Sequence, residues 1–187
     1  MRKRVFNTGQ NLPKAGIQDY LELREKRDLL VKKPILRQSR KDKTVLYGGH
    51  ALNRLLGRGY QRETYDYDIY SNKPKHHAQQ LERSIDHGTN SDLAFVEQTQ
   101  YPYMGRMKPL YRVKLHFNDR VEADYNTMPS DITCVKRDHG VRYETLKRAK
   151  DKYEYMNKAS GVDRTAFGEL DRIRTYEIIK NRRNRML

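Results

Sequence analysis

The sequence predicts an α/β (α+β) fold in which a mixed sheet of four or five strands is backed by helices, with more helices at the C-terminus. Short segments of alternating apolar and polar residues, typical of half-buried strands, are interspersed with segments whose apolar residues recur every three or four positions, typical of amphipathic helices. Glycine, proline and asparagine mark the turns between them. We therefore expect one domain over 15–187, preceded by a basic arm at 1–14.

The composition is strongly basic, with 39 Lys+Arg against 24 Asp+Glu and a formal net charge of +15. This excess favours nucleic acid over an anionic membrane surface as a partner, since solubility alone needs a much smaller excess. Cys134 is the only cysteine, which excludes an internal disulfide and a cysteine-based zinc cluster. No apolar run approaches the roughly 20 residues of a membrane span, so we expect no membrane segment and a cytoplasmic, intracellular location.

The first half of the chain predicts three helices and two strands from the spacing of its apolar residues. They are a helix from about Ile17 to Lys32 that Pro34 ends, a strand at 44–47, a helix at 51–56 that Gly57 ends, a strand at 65–70, and a helix that begins at Pro74 and ends at Gly88. In the last of these helices Ala78, Leu81 and Ile85 share one face, which we expect to be buried.

The second half predicts a strand at 93–98, a loop at 101–109, a hairpin of strands 111–117 and 121–125, and helices at 143–158 and 165–181. We expect a three-residue hairpin loop that pairs Phe117 with Val121. A two-residue loop would pair Phe117 with Arg120 and place Glu122 and Asp124 on the apolar face, burying their charges. The inward-facing residues predicted for the last two helices are Leu146, Ala149, Tyr153, Met156, Phe167, Leu170, Ile173 and Tyr176.

Three features point to chemistry: Gly48-Gly49 at a strand-to-helix turn, Asp66 and Asp68 on one face of the next strand, and Asp124 on a later strand. A Gly-Gly turn lets a phosphate approach the backbone, and the helix that follows offers unpaired N–H groups. Carboxylates at i and i+2 on a strand have α-carbons roughly 6–7 Å apart. With a third acid they are able to hold two divalent metals about 3.5–4 Å apart, the arrangement of in-line phosphoryl transfer.

These motifs, Leu-Tyr-Gly-Gly-His-Ala, Tyr-Asp-Tyr-Asp-Ile-Tyr-Ser and Val-Glu-Ala-Asp-Tyr-Asn, resemble those of the polymerase-beta-type nucleotidyltransferase superfamily, in the manner of its minimal members such as viral poly(A) polymerases. The resemblance covers roughly 45–128. It implies a palm core at about 44–128 and a C-terminal helical part at about 141–181. The gap of sixteen residues between Gly49 and Asp66 needs an extra turn or loop at about 57–63.

The resemblance also implies roles for individual residues. Asp66, Asp68 and Asp124 would bind two Mg²⁺ or Mn²⁺ ions, with Asp124 also orienting or deprotonating the acceptor hydroxyl. Gly48 and Gly49 would contact the triphosphate of an NTP such as ATP. Superfamily members often recruit a lysine from a helix beyond the palm; the candidates are Lys147, Lys150 and Lys158, of which Lys150 is taken as nucleotide-binding.

Some assignments stay open. Glu122 is the alternative to Asp124 as third acid, and either acid would otherwise form an ion pair with Lys114 across the hairpin. Arg112, Lys114 and His116 share the predicted carboxylate face, where Lys114 is a candidate phosphate ligand. His50, His76 and His77 are interpreted as structural or surface residues.

The predicted activity is metal-dependent transfer of a nucleotidyl group from an NTP to a hydroxyl with release of pyrophosphate. The charge favours a nucleic-acid 3′ end, DNA or RNA, as the acceptor. The alternatives are nucleotidylation of a small molecule or protein, and a non-enzymatic basic nucleic-acid-binding module; a glycosyltransferase is disfavoured by the upstream Gly-Gly and the later acid. The bases expected to form the acceptor groove are Arg2, Lys3, Arg4, Lys147, Arg148, Lys150, Arg172, Arg174, Arg182, Arg183 and Arg185.

Overall fold

A computed structural model of the chain describes residues 14–103, 106–116, 119–132, 135–159 and 164–184. The helices are α1 (Lys14–Arg27), α2 (Lys33–Lys41), α3 (Gly48–Leu56), α4 (Pro74–Thr89), α5 (Leu146–Ala159) and α6 (Arg164–Asn184), with a π-helical turn at Asp28–Lys32 and a 3-10 turn at Arg58–Tyr60. The strands are β1 (Val45–Tyr47), β2 (Tyr67–Ser71), β3 (Ala94–Tyr103), β4 (Arg106–Leu115), β5 (Val121–Thr127), β6 (Val135–Asp138) and β7 (Val141–Glu144). Residues 1–13 of the predicted basic arm lie outside the described residues.

The strands form one mixed sheet in the order β3-β4-β5-β2-β1-β7-β6. β2 runs parallel to β5 and β1 parallel to β7, while the other neighbours are antiparallel. The prediction of a mixed sheet backed by helices is therefore confirmed. The predicted count of four or five strands is too low, because the sheet has seven.

The two missed strands, β6 and β7, form a hairpin that adds a second edge to the sheet. His139 and Gly140 between them both have positive φ, 47° and 78°, which is the pattern of a tight two-residue hairpin turn. Val141 and Tyr143 of β7 are buried in the main core. Residues 141–144, predicted as part of the helical C-terminus, are thus a strand, and α5 begins only at Leu146.

Pro34 does not end the first helix, contrary to expectation. The helical segments follow one another without a break from Lys14 to Lys41. Pro34 has no N–H to donate to the carbonyl of Leu30, and Ser84 Oγ of α4 donates to that carbonyl instead at 3.2 Å. The proline fits because the hydrogen-bonding pattern widens just before it, where Lys33 N–H bonds to Asp28 O.

Gly88 does not end α4 either. The helix continues to Thr89 and is capped by Asn90 in the left-handed region, with φ 52°. Gly88 has a packing role, since a methyl group added there would overlap the buried Leu30 side chain of the π-helical turn. The close approach of these two helical segments therefore depends on a residue without a side chain.

The predicted loop at 101–109 is also a hairpin, in which β3 and β4 pair as far as Tyr103 and Arg106. Its proline, glycine and methionine residues favour a loop, and proline interrupts the hydrogen bonding of a central strand. Pro102 lies on β3, an edge strand of the sheet. Pro109 lies on β4, just before Leu110, where the pairing of β4 with β5 begins. Each proline therefore has one side without a paired strand, and the absence of an N–H is tolerated there.

The register of the β4–β5 hairpin differs from the predicted one. Phe117 lies outside the described residues, but the neighbouring pairs are visible: Val113 opposes Ala123 and Lys114 opposes Val121. Val121 pairs with Lys114 instead of the predicted Phe117, three residues away, and from Val113 onward the register differs from the predicted one by two residues.

A β-bulge between these two pairs explains the shift, since Glu122 is an extra residue on β5 with no direct partner on β4. Beyond the bulge the shift of two residues preserves the face of each side chain. Arg112, rather than Lys114, lies opposite Asp124, and the two share one face as predicted.

The main core lies between one face of the sheet and α1, α2 and α4, and it contains Ala78, Leu81 and Ile85 as predicted, each 0% exposed. A second apolar cluster joins α3 to α5 and α6. It includes seven of the eight inward-facing residues predicted for the last two helices, the exception being Phe167, whose side chain is outside the described set. In the described part of the chain, no helix combines the length and apolar character that crossing a bilayer requires.

Candidate active site

A row of polar side chains crosses the sheet on the face opposite to the main core. Asp68 of β2 lies directly opposite Asp124 of β5, which lies directly opposite Arg112 of β4. Directly opposed residues point to the same face, and the adjacent residues Ile69 and Tyr125 are buried in the main core. The fold therefore places the two predicted carboxylates side by side on neighbouring strands.

Asp66 belongs to the same cluster although it lies just before β2 begins. Its negative charge raises the pKa of both Asp68 and Asp124. The three predicted carboxylates are thus electrostatically coupled, with the half-buried Asp66 at the start of the strand.

Positive charge within the protein does not compensate these carboxylates fully. Burial raises the pKa of Asp68 to about 8, and the charges of Asp66 and Asp124 add to the effect, against the opposing charge of Lys152. Burial likewise raises the pKa of Asp124 to about 6, although Arg112 Nε lies 3.2 Å from its Oδ1 and opposes the rise. A bound cation would relieve both carboxylates.

The Gly-Gly turn packs directly against this cluster. β1 ends at Tyr47 and α3 begins at Gly48, whose φ is +66°. A methyl group on Gly48 would overlap the carboxylate of Asp68, and one on Gly49 would lie 2.6 Å from Thr64 Oγ1. The first turn of α3 therefore approaches Asp68 as closely as it does only because Gly48 has no side chain. The binding of a phosphate by Gly48 and Gly49 stays a prediction.

We expect Gly48→Ala to lower the free energy of unfolding by about 2 kcal/mol or more, because left-handed backbone is costly for alanine and the methyl group overlaps Asp68. Urea unfolding measures this loss, and an assay for pyrophosphate release measures the accompanying loss of activity. Gly57→Ala is the matched control, since Gly57 also has positive φ (83°) but has no atom within 4 Å of an added methyl group. It should lose stability and keep its activity; a fully stable Gly48→Ala protein would contradict the close packing.

The neighbouring bases on β4 each face an acid. Arg112 bonds to Asp124, and Lys114 Nζ lies 3.2 Å from Glu97 Oε2 of β3. Lys114 thus pairs with neither Asp124 nor Glu122, the ion pairs considered for it from the sequence. Its role as a phosphate ligand stays a prediction, and binding a phosphate would compete with Glu97.

Glu122, the alternative third acid, occupies a different position. Its side chain is 2% exposed and lies between two arginines, with Arg27 Nε 2.9 Å from Oε2 and Arg120 Nε 3.2 Å from Oε1. Arg27 also donates to the backbone carbonyl of Tyr65, at the approach to β2. Glu122 therefore joins α1, β5 and the segment before Asp66, while Asp124 shares a row with Asp68.

Helix α5 brings Lys152, rather than Lys150, close to Asp68. Lys150 Nζ lies 2.7 Å from Glu177 Oε2 of α6. Lys152 has a side chain only 10% exposed, lies 2.8 Å from Glu144 Oε2, and has its Nζ 4.5 Å from the ring centroid of Tyr47. Its charge opposes the rise in the pKa of Asp68.

Lys152 was missed from the sequence, although a signal was present. With Ala149, Tyr153 and Met156 it follows the i, i+3, i+4, i+7 pattern of the inward face of α5. A lysine at such a position needs a partner in the interior, because an isolated buried charge is costly.

The extra segment between Gly49 and Asp66 is fixed to the helices. Asn53 of α3 accepts a hydrogen bond from Arg62 N–H at 3.0 Å and donates to Arg62 O at 2.7 Å. Arg172 of α6 donates to Asn53 Oδ1 at 2.7 Å, to Tyr60 O at 2.6 Å and to the buried Glu169 at 2.5 Å. The predicted extra turn at 57–63 is present and is held between α3 and α6.

The histidines interpreted as structural are seen in such roles. His50 stacks on Tyr67 with ring centroids 3.8 Å apart, and burial lowers its pKa to about 4. His77 is buried, with Nδ1 2.6 Å from Ser71 Oγ. His76 lies 3.0 Å from Gln80 within α4.

The chemistry of the carboxylate cluster suits a hard divalent cation, since Mg²⁺ prefers carboxylate oxygens. Burial, together with the neighbouring acids, raises the pKa of Asp68 and of Asp124, so a cation bound beside them would favour their charged forms. The side chains do not converge as they stand: within the described ranges, no three His, Cys, Asp or Glu side chains are arranged to hold a metal ion. Asp124 accepts a hydrogen bond from Arg112. The residues fit divalent ions in donor type and charge, and Asp124 would exchange Arg112 for the metal.

Comparison with known proteins gives a likeness of fold. No protein-family model matches the sequence, and no curated protein matches it. Among solved structures, the Megavirus polyadenylate synthase matches with a TM-score of 0.53 at 17% sequence identity, over 95% of this chain and 40% of the synthase. JHP933 from Helicobacter pylori matches with a TM-score of 0.37 at 12% identity, over 94% of this chain and 97% of JHP933. The chain thus shares the mixed α/β fold of the Megavirus polyadenylate synthase and spans 40% of that protein's length.

Proposed function

We propose that the protein is a metal-dependent nucleotidyltransferase that transfers a nucleotidyl group from an NTP to the 3′ hydroxyl of a nucleic acid and releases pyrophosphate. One observation carries the proposal: Asp68 and Asp124 lie side by side, coupled to Asp66, directly against the glycine that starts α3. Acidic side chains of the type that binds divalent metal ions thus lie beside a helix start of the type that binds phosphate.

In this proposal Asp66, Asp68 and Asp124 hold two Mg²⁺ or Mn²⁺ ions. When bound, divalent ions lower the pKa of the attacking hydroxyl and neutralise the charge of the leaving pyrophosphate. In this proposal the N–H groups of the first turn of α3 bind the phosphates, since a helix start offers unpaired N–H groups and a partial positive charge. The acceptor oxygen forms a bond to the α-phosphorus while the bond from that phosphorus to the bridging oxygen of pyrophosphate breaks. The carboxylate of Asp124 takes the hydroxyl proton.

Lys152 is the cation of this chain that we assign to the triphosphate, in place of Lys150. It is largely buried beside Tyr47, the residue opposite Asp68 on β1, and its charge acts on Asp68. Its partner Glu144 also has Arg148 Nε at 3.3 Å, so Glu144 keeps a positive neighbour if Lys152 turns toward a phosphate. Lys150 is held by Glu177 on the side of α6.

Lys152→Gln is expected to raise the KM for the NTP about tenfold or more, since a hydrogen bond to a charged group is worth roughly 1.5–3 kcal/mol. Lys150→Gln is the matched control, because it removes the same charge two residues away and should change the KM less than about twofold. Steady-state kinetics at saturating acceptor measure both, and Lys152→Arg should restore part of the affinity. Thermal unfolding checks that the variants remain folded. The opposite ranking of the two variants would return the nucleotide-binding role to Lys150.

The acceptor is assigned from charge and from the structural neighbour. The net charge of +15 favours a polyanion, and the neighbour that shares the fold is described as a polyadenylate synthase. Nucleotidylation of a small molecule or protein uses the same cluster and is the second candidate, but it gives no reason for so large a charge.

Incubation with each labelled NTP and dNTP, Mg²⁺ or Mn²⁺, and single-stranded or primed oligonucleotides tests the proposal on one gel. Elongated oligonucleotide with matching pyrophosphate release is the expected result. Pyrophosphate release with label on a protein or small molecule would support the second candidate. Metal-independent oligonucleotide binding without any pyrophosphate release would favour a non-enzymatic binding module. The base preference and the choice between RNA and DNA are read from the same lanes.

A further inference from the structure

The exposed side of α2 and the turn before it carries an excess of positive charge. Residues 28–43 include six basic and two acidic residues. All six basic residues are exposed. We call the exposed bases Lys32, Lys33, Arg37, Arg40 and Lys41 the α2 ridge.

The acids nearby leave most of this charge unpaired. Asp28 pairs with Lys32 at 3.0 Å, and Asp42 lies 3.4 Å from His77 of α4. Over the described ranges, no acid forms an ion pair with the other four bases of the ridge. Their charge is therefore available to an external anion.

The C-terminal helices, where the sequence places the acceptor groove, differ in this respect. Most of their predicted groove bases face an acid of the same protein. These pairs are Arg148 with Asp131, Lys150 with Glu177, Arg172 with Glu169 and Arg174 with Glu154. An external phosphate would have to compete with a carboxylate at each of them.

The α2 ridge also borders concave surface rather than a flat helix face. Lys33, Arg37, Arg83 and His87 line a groove of about 500 Å³ between α2 and α4, and none of its lining residues is acidic. The close packing at Gly88 sets the floor of this groove. On the other side of α2, Lys32 and Arg40 line a cleft of about 440 Å³ that also includes His50 and one acid, Asp138. Asp138 pairs with Arg54, and Arg40 donates to the backbone carbonyl of His139. His50 follows Gly49, so this cleft extends toward the start of α3.

The pattern fits a phosphate backbone better than a membrane. Helices that bind a bilayer surface present an apolar face to it, but Val31 and Ile35 are 0% exposed in the protein's own core. In 28–43 the exposed large apolar residue is Leu29. Cations without an apolar face are typical of surfaces that bind nucleic acid through its phosphates.

We infer that the α2 ridge, with Arg83 of α4, binds the phosphate backbone of the single-stranded acceptor upstream of its 3′ end. The inference rests on the proposed function for the identity of the acceptor. It assigns the strand to the helices that cover the main core, whereas the sequence alone assigns it to the N-terminal arm, the last two helices and the tail.

The test compares two triple variants that lose the same charge. The ridge variant is Lys33→Gln, Arg37→Gln and Arg83→Gln; the control is Lys147→Gln, Lys158→Gln and Lys180→Gln, three exposed lysines on α5 and α6. Fluorescence anisotropy of labelled single-stranded RNA and DNA is titrated at several KCl concentrations without NTP. The slope of log affinity against log salt should become less steep by about 2 for the ridge variant, at about 0.7 per lost contact. The control slope should stay within about 0.5 of the parent slope.

Each outcome separates the alternatives. Equal slopes for the two variants, or a larger change in the control, would overturn the inference. Ridge-dependent binding to vesicles of phosphatidylserine and phosphatidylcholine, with unchanged oligonucleotide binding, would overturn it in favour of a membrane surface. Ridge-dependent oligonucleotide binding by a protein that releases no pyrophosphate with any NTP would support the binding surface while refuting the transfer activity.

Discussion

Asp68→Asn is expected to abolish pyrophosphate release and, in the same protein, to increase resistance to urea at alkaline pH. Under the proposed function the charge of Asp68 is needed for activity, whereas burial in the folded protein disfavours that charge.

The loss of activity follows from the position of Asp68 in the carboxylate cluster. It lies between Asp124 on β5 and the start of α3, and its carboxylate packs on Gly48. Replacing one carboxylate by a neutral amide removes a ligand charge without changing the volume. We expect the rate to fall at least about 100-fold, the effect typical of removing a group that stabilises transition-state charge. Asp66→Asn is expected to lose activity for the same reason.

The gain in stability follows from the raised pKa of Asp68. Its pKa is about 8 in the folded protein against an ordinary value of 3.8. Between these values the folded state binds more protons than the unfolded state, so the parent loses stability as the pH rises through this window. Asparagine does not ionise and avoids that loss. One pKa unit corresponds to about 1.4 kcal/mol, so we expect the variant to be more stable by more than about 2 kcal/mol at pH 9 and equal to the parent near pH 4.

Urea denaturation at about pH 5, 7 and 9, beside a pyrophosphate assay, checks both effects. Asp151→Asn is the control, since Asp151 is exposed on α5 and should change neither quantity. Added Mg²⁺ should stabilise the parent more than Asp68→Asn, because a ligand that binds the folded state stabilises it. Near-normal turnover by Asp68→Asn would refute the metal-ion proposal, and an unchanged pH dependence would show that the carboxylate is not held in the buried state.

The sequence predicts correctly those elements in which the spacing of the apolar residues matches the face that the fold buries. The helix with Ala78, Leu81 and Ile85 buries that face completely. Pro34 and Gly88 were misread as helix ends, because their roles depend on contacts between segments distant in sequence. Ser84 Oγ bonds to the carbonyl that Pro34 leaves free, and Gly88 makes room for Leu30. Such contacts exist only after α4 has packed on the first helices.

The short strands β6 and β7 show another limit of periodicity. A strand of four residues places only two side chains on each face. So short an alternation is not distinguishable from the helical pattern that follows it. Val141 and Tyr143 share the inward side, and the His139-Gly140 turn is the signal that precedes them. Their assignment to a strand also depends on β1, whose Leu46 pairs with Tyr143.

The candidate site was predictable where alternation alone decides the face of a side chain. Alternation places Asp66 and Asp68 together, and it places Asp124 on the face of Arg112 even though the hairpin register differs by two residues. The partners of each charge were not predictable. Glu122 pairs with Arg27, which lies 95 residues earlier in the chain. Only the packing of α1 on the sheet brings these two residues together.

Asp124→Asn and Glu122→Gln are expected to separate catalysis from stability on two neighbouring positions of one strand. Asp124→Asn should lose pyrophosphate release at least about 100-fold without a fall in the free energy of unfolding. Burial already raises the pKa of Asp124 to about 6, so the folded protein gains little from its charge even with Arg112 beside it.

Glu122→Gln should show the reverse pattern. Its carboxylate is 2% exposed between Arg27 and Arg120, so the amide leaves two guanidinium groups without their buried counter-charge. Burial raises the pKa of Glu122, and the charges of Arg27 and Arg120 oppose the rise. The amide nevertheless lowers stability, because it leaves both arginines without their partner, and breaking a buried pair from one side costs on the order of 3 kcal/mol. The variant should retain its activity under conditions where it remains folded, because Glu122 lies outside the row that contains Asp68 and Asp124.

Urea unfolding and pyrophosphate release on both variants decide the assignment, and Arg27→Gln adds a cycle that isolates the Glu122 pair. The double variant of Arg27 and Glu122 should lose less stability than the sum of the single changes, while activity follows the folded fraction in all three. If Glu122→Gln is inactive while folded and Asp124→Asn is active, the third acid moves by two residues and the reaction is unchanged. If both are active, β5 does not face the reacting phosphate, and the pairing of Asp68 with Asp124 across β2 and β5 has a structural purpose only.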